Sequence, residues 1–233
     1  MENQKIITNA GTQASVSGFL SKVFLWMALG LAVTTAGSFW LLSQPQLFTM
    51  LVKNQWIFFG LMIAEIGLVI WLSAALMSMS AGLATALFLV YSFLNGVTLS
   101  PLFIVYTGAS VMTTFAVTAG TFFFFSLYGF TTKRDLTAMG GLLMMGLFGV
   151  ILASIINIFA KSSTLDWIVS FIAIAVFMGL IAWDTQKLKA MHAMGFESPE
   201  MERKVAILGA LALYLDFVNL FIQLLRIFGK RRD

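Results

Sequence analysis

Seven stretches of the chain stay apolar for about 20 residues or more, the length that crosses about 30 Å of hydrocarbon, and each is bounded by charge, proline or a polar cluster. They cover residues 19–42, 56–76, 81–105, 108–130, 136–160, 165–190 and 203–228, the sixth running past its apolar part into Asp184 and Lys187. The connections are short, MSMSA near 77–81 and TTKRD at 131–135 among them, so successive helices are expected to be antiparallel neighbours in one bundle. The pattern predicts an all-α membrane protein with seven transmembrane helices in a single domain over residues 19–229, a polar tail at 1–18 and a basic tail at 230–233. Ser198, Pro199 and Glu200 follow one another as an N-cap, a first helical position and an acidic first turn, which places the start of the last helix. Pro101, after Asn95 in the third span, predicts a kink there.

Composition agrees with lipid as the main solvent. The chain is 60% hydrophobic and 10% charged, against about 25% charged in soluble domains, and the remaining charge clusters between the apolar runs. Cysteine is absent, which excludes disulfides, thiolate nucleophiles and cysteine-based metal sites. The first eighteen residues hold no apolar core with a small-residue cleavage site, so they read as a tail and the first span as the segment that directs insertion. The net charge of +4 is scattered over loop ends and forms no nucleic-acid patch.

The basic residues serve better as topology signals. With a cytoplasmic N-terminus, the inner segments hold Lys5, Lys22, Lys133, Arg134, Lys187, Lys189, Arg203 and Lys204, and the outer loops only Lys53 and Lys161. Arg226, Lys230, Arg231 and Arg232 would then lie outside, against the rule, unless the last helix does not fully cross. Ala28, Ala32 and Ala36 in the first helix, and Gly140, Gly141, Gly146 and Gly149 in the fifth, have the spacing of close helix contacts.

Three acids do not belong in lipid, where a mid-membrane charge costs at least about 2.5–3.5 kcal/mol on insertion scales. They are Glu65 in LMIAEIGLVIW, Asp184 in GLIAWDTQKL and Asp216 in LALYLDFVNLF. On the last helix Asn219, Gln223 and Arg226 fall at about −60°, −20° and −80° from Asp216, a polar stripe that needs protein or water as its neighbour. Asp184 and Asp216 lie on consecutive antiparallel helices. Spacing permits them to meet, and a meeting pair would share a proton and sense pH; alternatively Asp184 sits among headgroups with Lys187 and Lys189. Glu65 either pairs with Arg226 or accepts hydrogen bonds from Asn95 or Asn157, as a clamp or as part of an ion path. His192, in the polar connection before the last helix, is expected to be solvated.

The segment Leu213–Gly229, LYLDFVNLFIQLLRIFG, with WDTQKLK at 183–189, resembles the signature of the transmembrane Bax inhibitor motif family, and seven spans in this length fit that family along the whole chain. The resemblance implies six helices surrounding a central C-terminal helix, and a passive, pH-sensitive calcium leak tied to stress or cell-death control. Its paired aspartates map onto Asp184 and Asp216, and its acid in the second helix onto Glu65. A basic residue that latches the pair in some relatives has no counterpart here, since WLSAALMSMS carries none, so a copied gating cycle is not implied. Some bacterial members similar to this sequence are linked with a membrane-bound ATP-dependent protease. The resemblance also favours a bacterial inner membrane.

Three functions compete. The first is a cation leak, in which Asp184 and Asp216 attract calcium because hard cations take oxygen ligands; no cofactor is expected beyond calcium as a permeant or bound ion. The second is a regulatory protein that binds a membrane protease or stress machinery through its tail or a helix face. The third, an enzyme, is disfavoured. Tyr214 and Leu215 before Asp216 lack the Gly-x-Gly-Asp setting of intramembrane aspartyl proteases, and no span carries a histidine base.

Overall fold

The computed structural model describes residues 2–232, with side chains from residue 15 onward; Asp233 and the side chain of Lys5 lie outside that part. Among the described residues the regular structure is helical: α1 (Glu2–Leu42), α2 (Pro45–Lys53), α3 (Gln55–Ala74), α4 (Ala81–Leu99), α5 (Leu102–Val105), α6 (Gly108–Thr131), α7 (Thr137–Ala160), α8 (Ser163–Ala193) and α9 (Pro199–Phe228). Seven segments are long and apolar enough to span a membrane, with α4 and α5 forming one. Apart from the start of the first, whose helix α1 begins at Glu2, every end lies within four residues of the sequence expectation, the largest difference being 199 against 203. The chain is therefore an all-α integral membrane protein. The most apolar window of α9 is 67% buried, that of α8 44%, and the others no more than 33%.

The contacts divide the chain into two compact units. One comprises the chain up to Val105 together with Met191–Tyr214, and the other comprises Tyr106–Ala190 with the chain from Leu215. In the first unit α1 and α4 pack backbone to backbone at Gly96, where a Cβ would run into the Thr34 carbonyl. The Thr34 and Ser38 hydroxyls donate across this seam to the Ser92 and Gly96 carbonyls at 2.9 and 2.6 Å. The packing face of α1 is thus Gly30, Thr34, Gly37 and Ser38. The stripe Ala28, Ala32, Ala36 points outward instead, because spacing alone does not say which side of an apolar helix meets protein.

Short elements depart from the simple seven-helix pattern for local reasons. Pro45 starts α2, a helix the hydrophobic pattern did not single out, and Asn54 caps α3 by accepting from the Trp56 amide. Pro101 breaks the third span as expected: it has no amide to give the Val97 carbonyl, which instead takes the Ser100 hydroxyl at 2.8 Å. Ser198 caps α9, its hydroxyl accepting from the Met201 amide at 3.1 Å. Lys22 pairs with Glu202 at 2.9 Å. His192 is half-buried rather than solvated. Its ring stacks on Phe19 at 4.8 Å, and its Nε2 is 2.8 Å from the Ser15 hydroxyl, because α8 runs on to Ala193 and carries the histidine under α1.

In the second unit Gly129 on α6 lets the Ala182 carbonyl of α8 approach closely, and Gly140 on α7 receives the Trp183 indole. Gly146 touches Val176, whereas Gly141 and Gly149 face open space, so only part of the expected glycine face is used. The basic C-terminal segment folds back, with the Thr107 amide donating to the Lys230 carbonyl at 3.0 Å and the Lys230 amide to the Ser110 hydroxyl at 2.9 Å.

Candidate functional site

The second unit brings Asp184 and Asp216 together. Asp216 is only 6% exposed, and its Oδ2 meets no amide or hydroxyl donor among the described residues. Its polar neighbour is the Asp184 carboxyl, which faces it closely enough to hydrogen-bond whenever one of the two carries a proton. Asp184 is half-buried and also feels the Lys187 ammonium.

The rest of the WDTQKLK segment explains why α8 presents Asp184 this way. Trp183 fills the space left by Gly140 and carries Lys187 Nζ 4.9 Å above its ring. Thr185 is buried and bonded to the Ile181 carbonyl at 2.7 Å. Gln186 reaches the connection before α7, donating to the Arg134 carbonyl and accepting from the Leu136 amide, both at 2.8 Å. Lys189 Nζ donates to the Phe130 carbonyl at 2.7 Å. Each turn of this segment is tied to a neighbour, which fixes the rotation of α8 about its axis.

The polar stripe on α9 is satisfied unevenly. Asn219 returns its amide to the Leu215 carbonyl at 2.8 Å, whereas Gln223 Oε1 is buried without a partner. Arg226 pairs with Asp166 at 2.9 Å, in the first turn of α8, where a carboxylate also suits the helix dipole. Asp166 carries no signal in the sequence, because it lies at a span end, where an acid needs no special reason.

In the first unit Glu65 is 8% exposed and held in a clamp. Thr98 Oγ1 donates to its Oε1 at 2.8 Å, and Asn95 Nδ2 approaches its Oε2 at 3.5 Å. Asn95 in turn accepts from the Tyr214 hydroxyl at 3.0 Å, and that hydroxyl lies 2.6 Å from Thr34 Oγ1. The chain Glu65–Asn95–Tyr214–Thr34 thereby joins α3, α4, α9 and α1. Of the three partners considered for Glu65, Asn95 is the one it has, while Asn157 Oδ1 accepts from the Ser162 amide in the turn before α8. A fully buried tyrosine requires a hydroxyl partner, and that was the available signal for Tyr214.

Outside the spans, Asp135 lies just before the N-cap residue Leu136 and ties down the first amide of α7. The Thr137 side chain first, and its amide second, hold the Asp135 carboxyl below the ordinary carboxylate range; the amide contact is 2.9 Å. Because the folded carboxyl titrates below its unfolded value, the contact is complete above the ordinary range and is lost as pH falls through the lowered folded value. The protection of the Thr137 amide against hydrogen exchange should fall in that acid window. In Asp135→Asn, which accepts the same bond without titrating, it should not.

Seven apolar helices, a face-to-face aspartate pair and a third acid in a hydrogen-bonded clamp define an integral membrane protein with paired intramembrane carboxylates. Residues 16–233 match the family model described as Inhibitor of apoptosis-promoting Bax1, and the chain belongs to this Bax inhibitor family. It is 48% identical over 221 residues to Inner membrane protein YbhL of Escherichia coli strain K12, covering 94% of each chain. It is 41% identical over 230 residues to a protein of Deinococcus radiodurans, covering 99% of this chain and 97% of that one. A membrane protein of Streptococcus pyogenes serotype M1 is 35% identical over 223 residues, with 94% and 96% covered.

Proposed function

We propose that this protein is a pH-sensitive cation leak, with calcium as the permeant ion and the Asp184–Asp216 pair as its proton sensor. The single observation that carries the reading is Asp216 Oδ2, buried, without an amide or hydroxyl donor among the described residues, on a carboxyl that faces a second one. A carboxylate so placed in a membrane helix is costly, and such residues mark ion and proton paths. Two carboxylates supply fewer oxygens than the six to eight of a resident calcium site, and no third acid or histidine joins them in a metal-holding group among the described residues. An ion at the pair is therefore held in transit. Protonation neutralises the pair and weakens its hold on a divalent cation. Glu65, clamped by Thr98 and Asn95, adds a further buried carboxylate to this reading.

The proposed location is the inner membrane of a bacterium with the N-terminus in the cytoplasm. It draws on the eight-to-two distribution of basic residues and on the Escherichia coli relative, which is named an inner membrane protein.

Calcium entry into dye-loaded liposomes, measured from pH 5 to 8, tests the reading. Wild-type flux should vary with pH by up to about tenfold per unit, the limit for one linked proton, and Asp216→Asn should flatten the profile. Absence of flux at every pH from folded protein would overturn the leak and turn the weight to a regulatory protein that binds a membrane protease.

A further inference from the structure

Most hydroxyls in the spans are satisfied by protein. Ser92, Thr118, Ser154 and Thr185 each donate to the carbonyl four residues back, the usual way of hiding a hydroxyl in a membrane helix. Ser170 on α8 does not. It is fully buried, and its Oγ has no hydrogen-bond partner among the described residues. Gln223 Oε1 on α9 shares that condition, and Asp216 Oδ2 has only the facing carboxyl. Buried polar atoms are rarely left so, because each forfeits its hydration without replacement.

Helical spacing groups these atoms on one face of each helix. On α8, Asp166, Ser170 and Asp184 fall within about 40° of one another, and on α9, Asp216 and Gln223 differ by about 20°. Contacts at both ends turn the two faces toward each other: Asp184 meets Asp216 at one end, and Asp166 meets Arg226 at the other. Ser170 and Gln223 therefore line the stretch between. Water is the partner that fits such atoms, and hydroxyl, amide and carboxylate oxygens are also the groups that a partly hydrated cation accepts.

We propose that α8 and α9 enclose a water-filled polar seam running from the aspartate pair past Ser170 and Gln223 to the Asp166–Arg226 ion pair, and that this ion pair gates its mouth. The pair suits a gate. Its side chains are 38% and 39% exposed, so it is screened by solvent and opens readily. While closed, the pair holds the arginine side chain across the mouth as a steric plug; swinging the arginine away removes that barrier. The proposal rests on the leak reading only for what passes through the seam.

The chain contains no cysteine, so single cysteines can report water directly. Wild-type sequence carrying Ser170→Cys or Gln223→Cys, in liposomes with a cationic, membrane-impermeant methanethiosulfonate on both faces, reports thiolate in contact with water. Both sites should react on the order of tenfold faster than Ile151→Cys, an outward-facing position on α7 that serves as the lipid reference. Adding Asp166→Asn should raise both rates about three- to fivefold, the shift expected from releasing an exposed pair. If Ser170→Cys does not fold, Ala173→Cys, one turn further on the same face, takes its place.

Rates equal to that of Ile151→Cys, with and without Asp166→Asn, would remove the seam. Fast rates indifferent to Asp166→Asn would remove the gate. Calcium flux is read separately: rapid labelling without flux sinks the leak and leaves the seam standing, and flux without labelling does the opposite.

Discussion

Gly96→Ala and Gly129→Ala should each lower the melting temperature of the detergent-solubilised protein by roughly 5–10 °C, the shift for an overpacking cost of about 3 kcal/mol in a chain of this size. Each added Cβ meets backbone: the Thr34 carbonyl at Gly96 and the Ala182 carbonyl at Gly129. Backbone cannot rotate away as a flexible side chain can, so the helices must separate. At Gly96 that separation also breaks the Thr34 and Ser38 bonds to α4. At Gly129 it shifts α8 two residues from Asp184. Gly149→Ala is the control. Nothing lies within 4 Å of its Cβ position, and alanine is the better helix former by about 1 kcal/mol, so its melting temperature should hold or rise. Equal losses at all three glycines would show that helix contact is not what the first two provide.

The second large effect is expected at Glu65. Glu65→Lys puts an ammonium where the Thr98 hydroxyl and the Asn95 amide now donate, leaving a buried charge without an acceptor at a cost of about 3–5 kcal/mol. The melting temperature should fall by roughly 10 °C or more. Glu65→Gln keeps an oxygen for Thr98 and should cost about 1 kcal/mol. Tyr214→Phe cuts the same chain further along, removing the hydroxyl shared by Asn95 and Thr34, and should fall between the two. A Glu65→Lys protein as stable as wild type would mean that the carboxylate is not clamped.

The pattern of apolar runs was enough for the seven spans, because the length of a membrane crossing is set by the bilayer and written in consecutive residues. The start of α9 at Pro199 and the break at Pro101 were legible for a similar reason: a cap and a missing amide act within one turn. Asp184, Asp216 and Glu65 were also marked in the sequence, since a carboxylate inside an apolar run is conspicuous wherever its partners are. Partners are a different matter. An apolar helix surface looks alike on every side, so Ala28, Ala32 and Ala36 had the right spacing and the wrong face, while Gly30, Thr34 and Gly37 made the contact.

Arg226 shows the same limit, because its match with Asp166 depends on how two consecutive helices are rotated against each other. His192 sits in a polar stretch of sequence, yet α8 runs through it to Ala193 and Phe19 stacks on its ring. By itself the sequence determined that this chain crosses a membrane seven times, where it does so, and which acids are out of place in lipid; these follow from local solvation along the chain. Only the tertiary structure decided that Asp184 faces Asp216, that Glu65 is held by Thr98 and Asn95, and that Arg226 meets Asp166, because each depends on the rotation of one helix against another.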